Sequence, residues 1–263
     1  MKSSLKAMVH QVLPEQSELY FQLWLKLIWK VKPNTIQWHL DEYSKKEKDV
    51  FFIQIGANDG FLGDPIYKYI RRDKWSGVLI EPVEYLFQQL KKNYAPINLD
   101  ARLSFEQVAI SDESGHKNFY YVKDFTPTEE LPVYLNQQGS FIKSHLEAVK
   151  EKFPKVEIGT VAVPCKTVSA IVEKYQPQRI DLIHIDTEGH DFAIVQSIDF
   201  KRLQPKMIYF EHRHMTRAQR DELIALIKPH GYSILEEEHD TFVWTTAEVR
   251  VNHAKGKTVL ETV

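Results

Sequence analysis

The sequence predicts an α/β fold: a doubly wound, mostly parallel sheet with an antiparallel hairpin at one edge and a helical N-terminal extension. Three observations predict it. From Val50 onward, short apolar runs alternate with amphipathic segments of helical period. The first run stops at a glycine-rich loop, "IGANDG", and open α/β sheets bind ligands at that place, beyond the carboxyl ends of their strands. Near the end, "GYSILEEEHDTFVWTT" reads as two strands across a polar turn.

The elements follow in order. "ELYFQLWLKLIWKVK" reads as a helix apolar over most of its circumference, with Gln22, Lys26 and Lys30 as a narrow polar stripe. Two readings stay open for it. It packs on the main domain or a second subunit, or residues 19–31 lie in a membrane interface with Trp24 and Trp29 at headgroup level. The charged break "DEYSKKEKD" closes this extension, residues 1–49. "DVFFIQIG" is a buried strand, "PIYKYIRRD" a helix opening on proline, "SGVLIEP" a second strand and "VEYLFQQLKKNY" an amphipathic helix. "LSFEQVAIS" is a third strand, and Ser114-Gly115 reads as a hairpin turn into a further one. Residues 123–159 break the rhythm and read as an insertion over the sheet, containing the helix "SHLEAVKEKF". "TVAVPCKTVSAIVEKY" is a strand and a helix. "RIDLIHIDTEGHD" and "PKMIYFEHR" continue the winding, and a helix from Arg217 to His230 precedes the hairpin. The main domain thus runs over 50–248, and the polar, irregular residues 249–263 read as a loose tail.

Composition excludes several classes. Apolar residues make up 43% of 263, enough for one sizeable core, and a net charge of −2 gives no sign of nucleic-acid binding. Cys165 is the single cysteine, so no internal disulfide forms; it reads as a packing residue, and the expected compartment is the reducing cytoplasm. No secretory signal and no window of about 18 apolar residues is visible.

The loop after the first strand suits a ligand. Gly56 and Gly60 let it approach the backbone, Ala57 lies between, and Asn58 tolerates an unusual conformation. Glu81 ends the second strand, where a carboxylate can accept from both hydroxyls of a ribose. NAD and S-adenosylmethionine both carry that ribose. A dinucleotide fingerprint, however, wants glycine where Asn58 stands, so the pattern favours S-adenosylmethionine. In "HIDTEGHD", Asp186, Glu188 and His190 crowd one strand end, a costly cluster for a buried strand unless it has work; His184, midway along, reads as a hydrogen-bonded core residue. "YFEHRHM" repeats the arrangement and sets Glu211 and His212 beside Asp186.

Together "IGANDG", "LIEP", "VAISDESG", "VAVPCKTVSAIVEKY" and above all "IDTEGHD" resemble the FkbM-type S-adenosylmethionine-dependent methyltransferases, over roughly residues 50–210. The resemblance implies a Rossmann-like class I methyltransferase with a seven-stranded sheet. It implies Gly56, Asn58 and Gly60 at the methionine end, Glu81 on the ribose, and Gln107, Val108 and Ala109 bordering the adenine. It also implies a hydroxyl acceptor on a sugar, glycan, lipid or secondary metabolite.

Methyl transfer is an in-line displacement, and a hydroxyl acceptor benefits from a base in hydrogen-bond reach. His190 or Asp186 is the expected base, with Glu188 and Glu211 orienting it or the substrate. An alternative places Mg²⁺ on Asp186, Glu211 and His212, though imidazole suits that ion poorly. The insertion would cover the acceptor, with Tyr134, Asn136, Gln137 and Gln138 as hydrogen-bonding groups and His212 facing the substrate. Two rivals stay open: an NAD-dependent sugar oxidoreductase, which lacks the needed Tyr-x-x-x-Lys pair in "EYLFQQLKK", and a non-catalytic cofactor-binding module acting through the N-terminal helix, as monomer or homo-oligomer.

Overall fold

The computed structural model describes residues 17–98 and 100–253. The chain divides into two compact units, 1–46 and 47–263. The expected boundary after residue 49 shifts because Arg179 ties the intervening residues to the second unit: its Nη2 donates to the Asp49 carbonyl at 3.1 Å and to Glu47 at 3.2 Å.

In the first unit, helix α1 (Glu18–Leu23) starts at Ser17, whose Oγ accepts from the Tyr20 N–H. It widens into a π-helical turn, Trp24–Ile28, and there the single helix expected over residues 18–32 stops. Trp29 is extended, and its N–H donates to the Trp24 carbonyl at 2.9 Å. The two indoles meet 4.8 Å apart, five positions apart like that hydrogen bond. Helix α2 (Ile36–Lys46) follows, with the Thr35 hydroxyl accepting from Trp38.

The second unit is built on a seven-stranded sheet. Its strands are β1 (Phe51–Ile55), β2 (Ser76–Ile80), β3 (Leu103–Glu106), β8 (Leu182–Ile185), β9 (Met207–Glu211), β10 (Ser233–Glu236) and β11 (Asp240–Trp244). Their spatial order is β10-β11-β9-β8-β1-β2-β3. Five run parallel, and β10 and β11 form the antiparallel edge hairpin that the sequence predicts. "FFIQI" and "LIHI" are nearly continuous apolar runs because both faces of these strands are covered. Ile53, Ile55, Ile183, Ile185, Ile208 and Phe210 point one way. They join a core with helices α6 (Val168–Tyr175), α7 (Asp191–Gln196) and α8 (Arg217–Ile227). On the other face Phe52 meets Trp75, and Trp75 stacks on Tyr69 of helix α3 (Tyr67–Arg72). Helix α4 (Glu84–Tyr94) brings Tyr94 against Phe105. His184 is a core residue, 4% exposed and edge-on to Tyr209, but its Nδ1 has no hydrogen-bond partner, unlike the bonded core histidine expected. Burial alone lowers its pKa to about 3, so it is neutral.

A second sheet departs from expectation. It holds β4 (Ala109–Ile110), β5 (Gly115–Val122), β6 (Gly139–Ser140) and β7 (Ile158–Lys166), in the order β4-β7-β5-β6. Ser114-Gly115 does not close a hairpin: β4 pairs parallel with β7 at Ala109–Cys165, while β5 pairs antiparallel with β7 along its whole length. The insertion 123–159 is therefore the far end of a long two-stranded ribbon. It also carries a 3₁₀ turn, Val133–Gln137, and helix α5 (Lys143–Lys152). Leu135, Leu146 and Val156 pack on Val122 as its private core. The tail is not loose over residues 249–253. Val251 is 8% exposed and donates its N–H to the Gln178 carbonyl at 3.1 Å; the rest of the expected tail lies outside the described residues.

Candidate active site

Two parallel strand tips make the floor. After β1 the backbone turns sharply: Gly56 has φ 77°, Asn58 φ 50° and Gly60 φ 66°. Only glycine fits at 56, because a Cβ there would lie 1.8 Å from the Asp186 carbonyl oxygen of the neighbouring strand. Gly60 serves packing, since its Cβ would strike Leu90 and Tyr94 at 2.4 Å. The Gly56 and Ala57 N–H groups both donate to the Ile80 carbonyl at 3.0 Å, so the loop is sewn to the end of β2. Glu81, 3% exposed, continues that seam: Oε2 accepts from the Asn58 N–H at 3.0 Å and Oε1 from the Val83 N–H at 2.8 Å. Burial outweighs these donors and pushes the carboxyl up to about 7.

These residues line a cleft of about 480 Å³, counting its open mouth. Glu81, Gly56 and Asn58 line it together with the apolar Val83, Leu86, Ala109 and Phe119 and with Asp186 and Glu188. Gln137 lies across it, donating to Asp59 Oδ1 at 3.2 Å and to the Leu62 carbonyl at 3.1 Å. Gln107 lies elsewhere: its amide donates to Glu84 and does not line the cleft.

The loop after β8 gathers the charges. Glu188 holds a left-handed φ of 51°, an outlier for a non-glycine residue that persists where the surroundings over-determine it. Here they do. The Ser140 hydroxyl donates to the Glu188 carbonyl at 2.8 Å and His145 Nδ1 lies 3.0 Å from the same oxygen. On the side chain, Gln138 donates to Oε1 at 2.8 Å and His214 Nε2 meets Oε2 at 3.2 Å. Asp191 braces the turn, accepting from the Thr187 hydroxyl at 2.9 Å and the Gly189 N–H at 3.2 Å. His214 Nε2 also lies 3.6 Å from Glu211 Oε2. Burial, then the Glu188 charge, raises Glu211 to about 8, and the hydrogen bond to Glu188 raises the His214 imidazole. Asp186 is pushed up by burial and then by Glu211, and no described donor reaches its carboxylate.

The imidazole at the cluster is not one of those expected. His190 caps α7 with its Nε2 3.0 Å from the Ser111 hydroxyl and its ring edge-on to Phe141 at 4.9 Å; it lines neither cavity. His212 is 5% exposed, its Nδ1 2.8 Å from the Thr241 hydroxyl. His214 takes their place because β9 ends at Glu211 and the chain turns, with the Met215 N–H donating to the His212 carbonyl at 2.9 Å. The alternation that pointed to His212 stops one residue too early. Ligand atoms of Glu188, Glu211 and His214 lie within 4.8 Å of one another, a different group from the alternative set of Asp186, Glu211 and His212. The hydrogen bond to Glu188, which raises the His214 imidazole, ties that residue into the cluster.

A second cavity of about 1200 Å³, again counting its mouth, adjoins the first and shares Gly139 and Glu188 with it. The insertion supplies Tyr134, Gln138, His145 and Lys152, and the turn after β9 supplies Arg213 and His214. Tyr134 and Gln138 thus line this cavity. Asn136 does not: its amide group donates to the Phe125 carbonyl at 3.0 Å and accepts from the Phe125 N–H at 3.3 Å, and its own carbonyl accepts from Tyr85, so it anchors the insertion.

The chain is similar to several known proteins. The 31-O-demethyl-FK506 methyltransferase FkbM of Streptomyces tacrolimicus is 23% identical over 212 residues, covering 75% of this chain and 77% of that protein. Among solved structures, a methyltransferase FkbM from Methylobacillus flagellatus KT aligns with a TM-score of 0.46 and 13% identity. That alignment covers 91% of this chain and 57% of the other, so this chain spans little more than half of it. The N-terminal domain of human METTL16 aligns with a TM-score of 0.39 and 12% identity, over 81% of this chain and 67% of that one. The model of the methyltransferase FkbM domain matches residues 54–234, from the middle of β1 through the active-site strands into the edge hairpin. The chain belongs to the FkbM-domain methyltransferase family.

Proposed function

We propose that the chain is an O-methyltransferase that uses S-adenosylmethionine to methylate a hydroxyl of a sugar, glycan, glycolipid or secondary metabolite in the cytoplasm. The observation that carries this reading is the buried Glu81 carboxylate in the lining of the first cleft, flanked by the Gly56–Asn58 backbone, in which no larger residue could replace Gly56. The donor set fits the cofactor. Each Glu81 oxygen accepts one backbone N–H and keeps a lone pair for a ribose hydroxyl, while Val83, Leu86, Ala109 and Phe119 offer an apolar berth for a base. Asn58 and Gly56 would hold the amino-acid end, and the Asp186 and Glu188 carboxyl groups complete the lining.

When bound, S-adenosylmethionine supplies an electrophilic methyl carbon on a cationic sulfur. The residues of this chain do the rest. The strand tips fix the donor's berth, and the shared wall at Gly139 and Glu188 lets a molecule in the second cavity present an oxygen to the first. Glu211 lines neither cavity itself, but its Oε2 is buried without a hydrogen-bond partner 3.6 Å from His214 Nε2, which lines the second cavity. The raised pKa of Glu211 places it near the operating range of a general base for an acceptor hydroxyl that reaches it past that ring. His214 steadies the anionic form, and Glu188 holds His214. The name of the curated relative, a 31-O-demethyl-FK506 methyltransferase, supports oxygen as the methylated atom. Incubation with labelled donor and a panel of hydroxylated acceptors tests the reading. Label transferred by the parent, and slowed about 10²–10⁴-fold by Glu211→Gln with donor affinity kept, supports it. Transfer to nitrogen or carbon acceptors only would overturn it.

A further inference from the structure

We infer that the acceptor carries an anionic group, a carboxylate or a phosphate, which Arg213 and Lys152 receive in the second cavity. This rests on the methyl-transfer reading above and narrows its substrate class. The cavity's permanently charged lining is lopsided: Lys152 and Arg213, both exposed, stand against Glu188 alone. Glu188 is already engaged, with Oε2 on His214 at 3.2 Å and Oε1 on Gln138 at 2.8 Å. The two permanent cations are not. Arg213 makes no hydrogen bond or ion pair among the described residues, and Lys152 only overhangs the Phe153 ring at 5.4 Å. Such an excess is local, because the whole chain carries a net charge of −2.

The arrangement also gives the acceptor a direction. The Asp186 and Glu188 carboxyl groups line the donor cleft, and Glu188, on the edge that the cleft shares with this cavity, offers an anion no partner there. An anion drawn to Arg213 and Lys152 leaves the rest of the molecule, with its hydroxyl, toward the carboxylates. A guanidinium fork matches a carboxylate or a phosphate with two parallel hydrogen bonds. Tyr134, 48% exposed and edge-on to Phe153 at 6.5 Å, offers an aromatic edge on the way.

The test uses the full chain saturated with S-adenosylhomocysteine, titrated calorimetrically with glucuronate, glucose 6-phosphate and glucose. The expected result is a preference of about 10–100-fold for one or both charged sugars over glucose, as hydrogen bonds to charged groups provide. The Arg213→Ala/Lys152→Ala double variant should lose that preference, and Lys152→Arg should retain it. Preference for glucuronate alone identifies a carboxylate, for glucose 6-phosphate alone a phosphate, and for both a requirement for charge only. Equal binding of all three sugars, no binding of any, or a preference that survives the double variant overturns the inference. If the parent chain fails to bind S-adenosylhomocysteine, the methyl-transfer reading falls and this inference with it; intact cofactor binding without anion preference removes this inference alone.

Discussion

At Gly56 the backbone carbonyl of Asp186 occupies the space where any side chain would begin, and the φ of 77° disfavours an L-residue as well. Gly63 has a similar φ of 74° but open space around it. The two therefore separate strain from clash. Gly63→Ala should cost about 1–2 kcal/mol, the price of the left-handed region, whereas Gly56→Ala should cost more than ~3 kcal/mol or leave the protein insoluble, as measured by urea unfolding. Glu211 makes an electrostatic counterpart. Its folded pKa of about 8 lies above the ordinary value of 4.5, so the native state holds a proton that the unfolded chain releases across that window. Stability contributed by the protonated carboxyl is complete below pH 4.5 and declines as pH rises to about 8. Glu211→Gln, which never ionises, should match the parent in melting temperature near pH 4.5. It should exceed the parent by about 2–4 °C at pH 8.5 if ~1 kcal/mol is recovered. An equal gap at both pH values would contradict the cause assigned here.

Elements differ in how openly the sequence declares them. The strands β1, β2, β8 and β9 and the β10–β11 hairpin are legible because doubly covered strands must be apolar runs and the hairpin brackets a polar turn. The second sheet is not legible: β4 and β6 have two residues each, too short for any period, and β7 partners β4 from some fifty residues away. Among the site residues, Gly56, Asn58, Glu81, Asp186, Glu188 and Glu211 can be found at strand tips, where chain order and spatial order coincide. His214, His145 and Arg213 cannot, because a turn and a helix from distant segments carry them, and side-chain alternation ends with the strand. The same distant segment supplies a clasp. Gln137 joins the insertion to the loop after β1 through Asp59 and the Leu62 carbonyl. Gln137→Ala should speed cofactor release about fivefold, the worth of ~1 kcal/mol in hydrogen bonding, in a stopped-flow displacement assay. An unchanged rate would show that the clasp does not gate the cleft.

Across the whole molecule, the strand order brings the loop after β1, the end of β2 and the turn after β8 to one rim, and the β5–β7 ribbon sets its own helix and turn over it. Among the described residues no helix is long and apolar enough to cross a membrane. Ligand linkage is then read on the intact chain. S-adenosylmethionine at about a hundred times its dissociation constant should stabilise the fold by ~2.7 kcal/mol, a rise in melting temperature of about 5–10 °C, while NAD should leave it unmoved. The most direct test is calorimetric binding of S-adenosylmethionine to the parent and to Glu81→Ala, checked by circular dichroism to share one fold. Loss of two hydrogen bonds to a charged group, about 1.5–3 kcal/mol each, predicts affinity at least ~100-fold weaker in the variant. Binding as tight as the parent's would contradict the placement of the nucleoside on this carboxylate, and with it the account of the site.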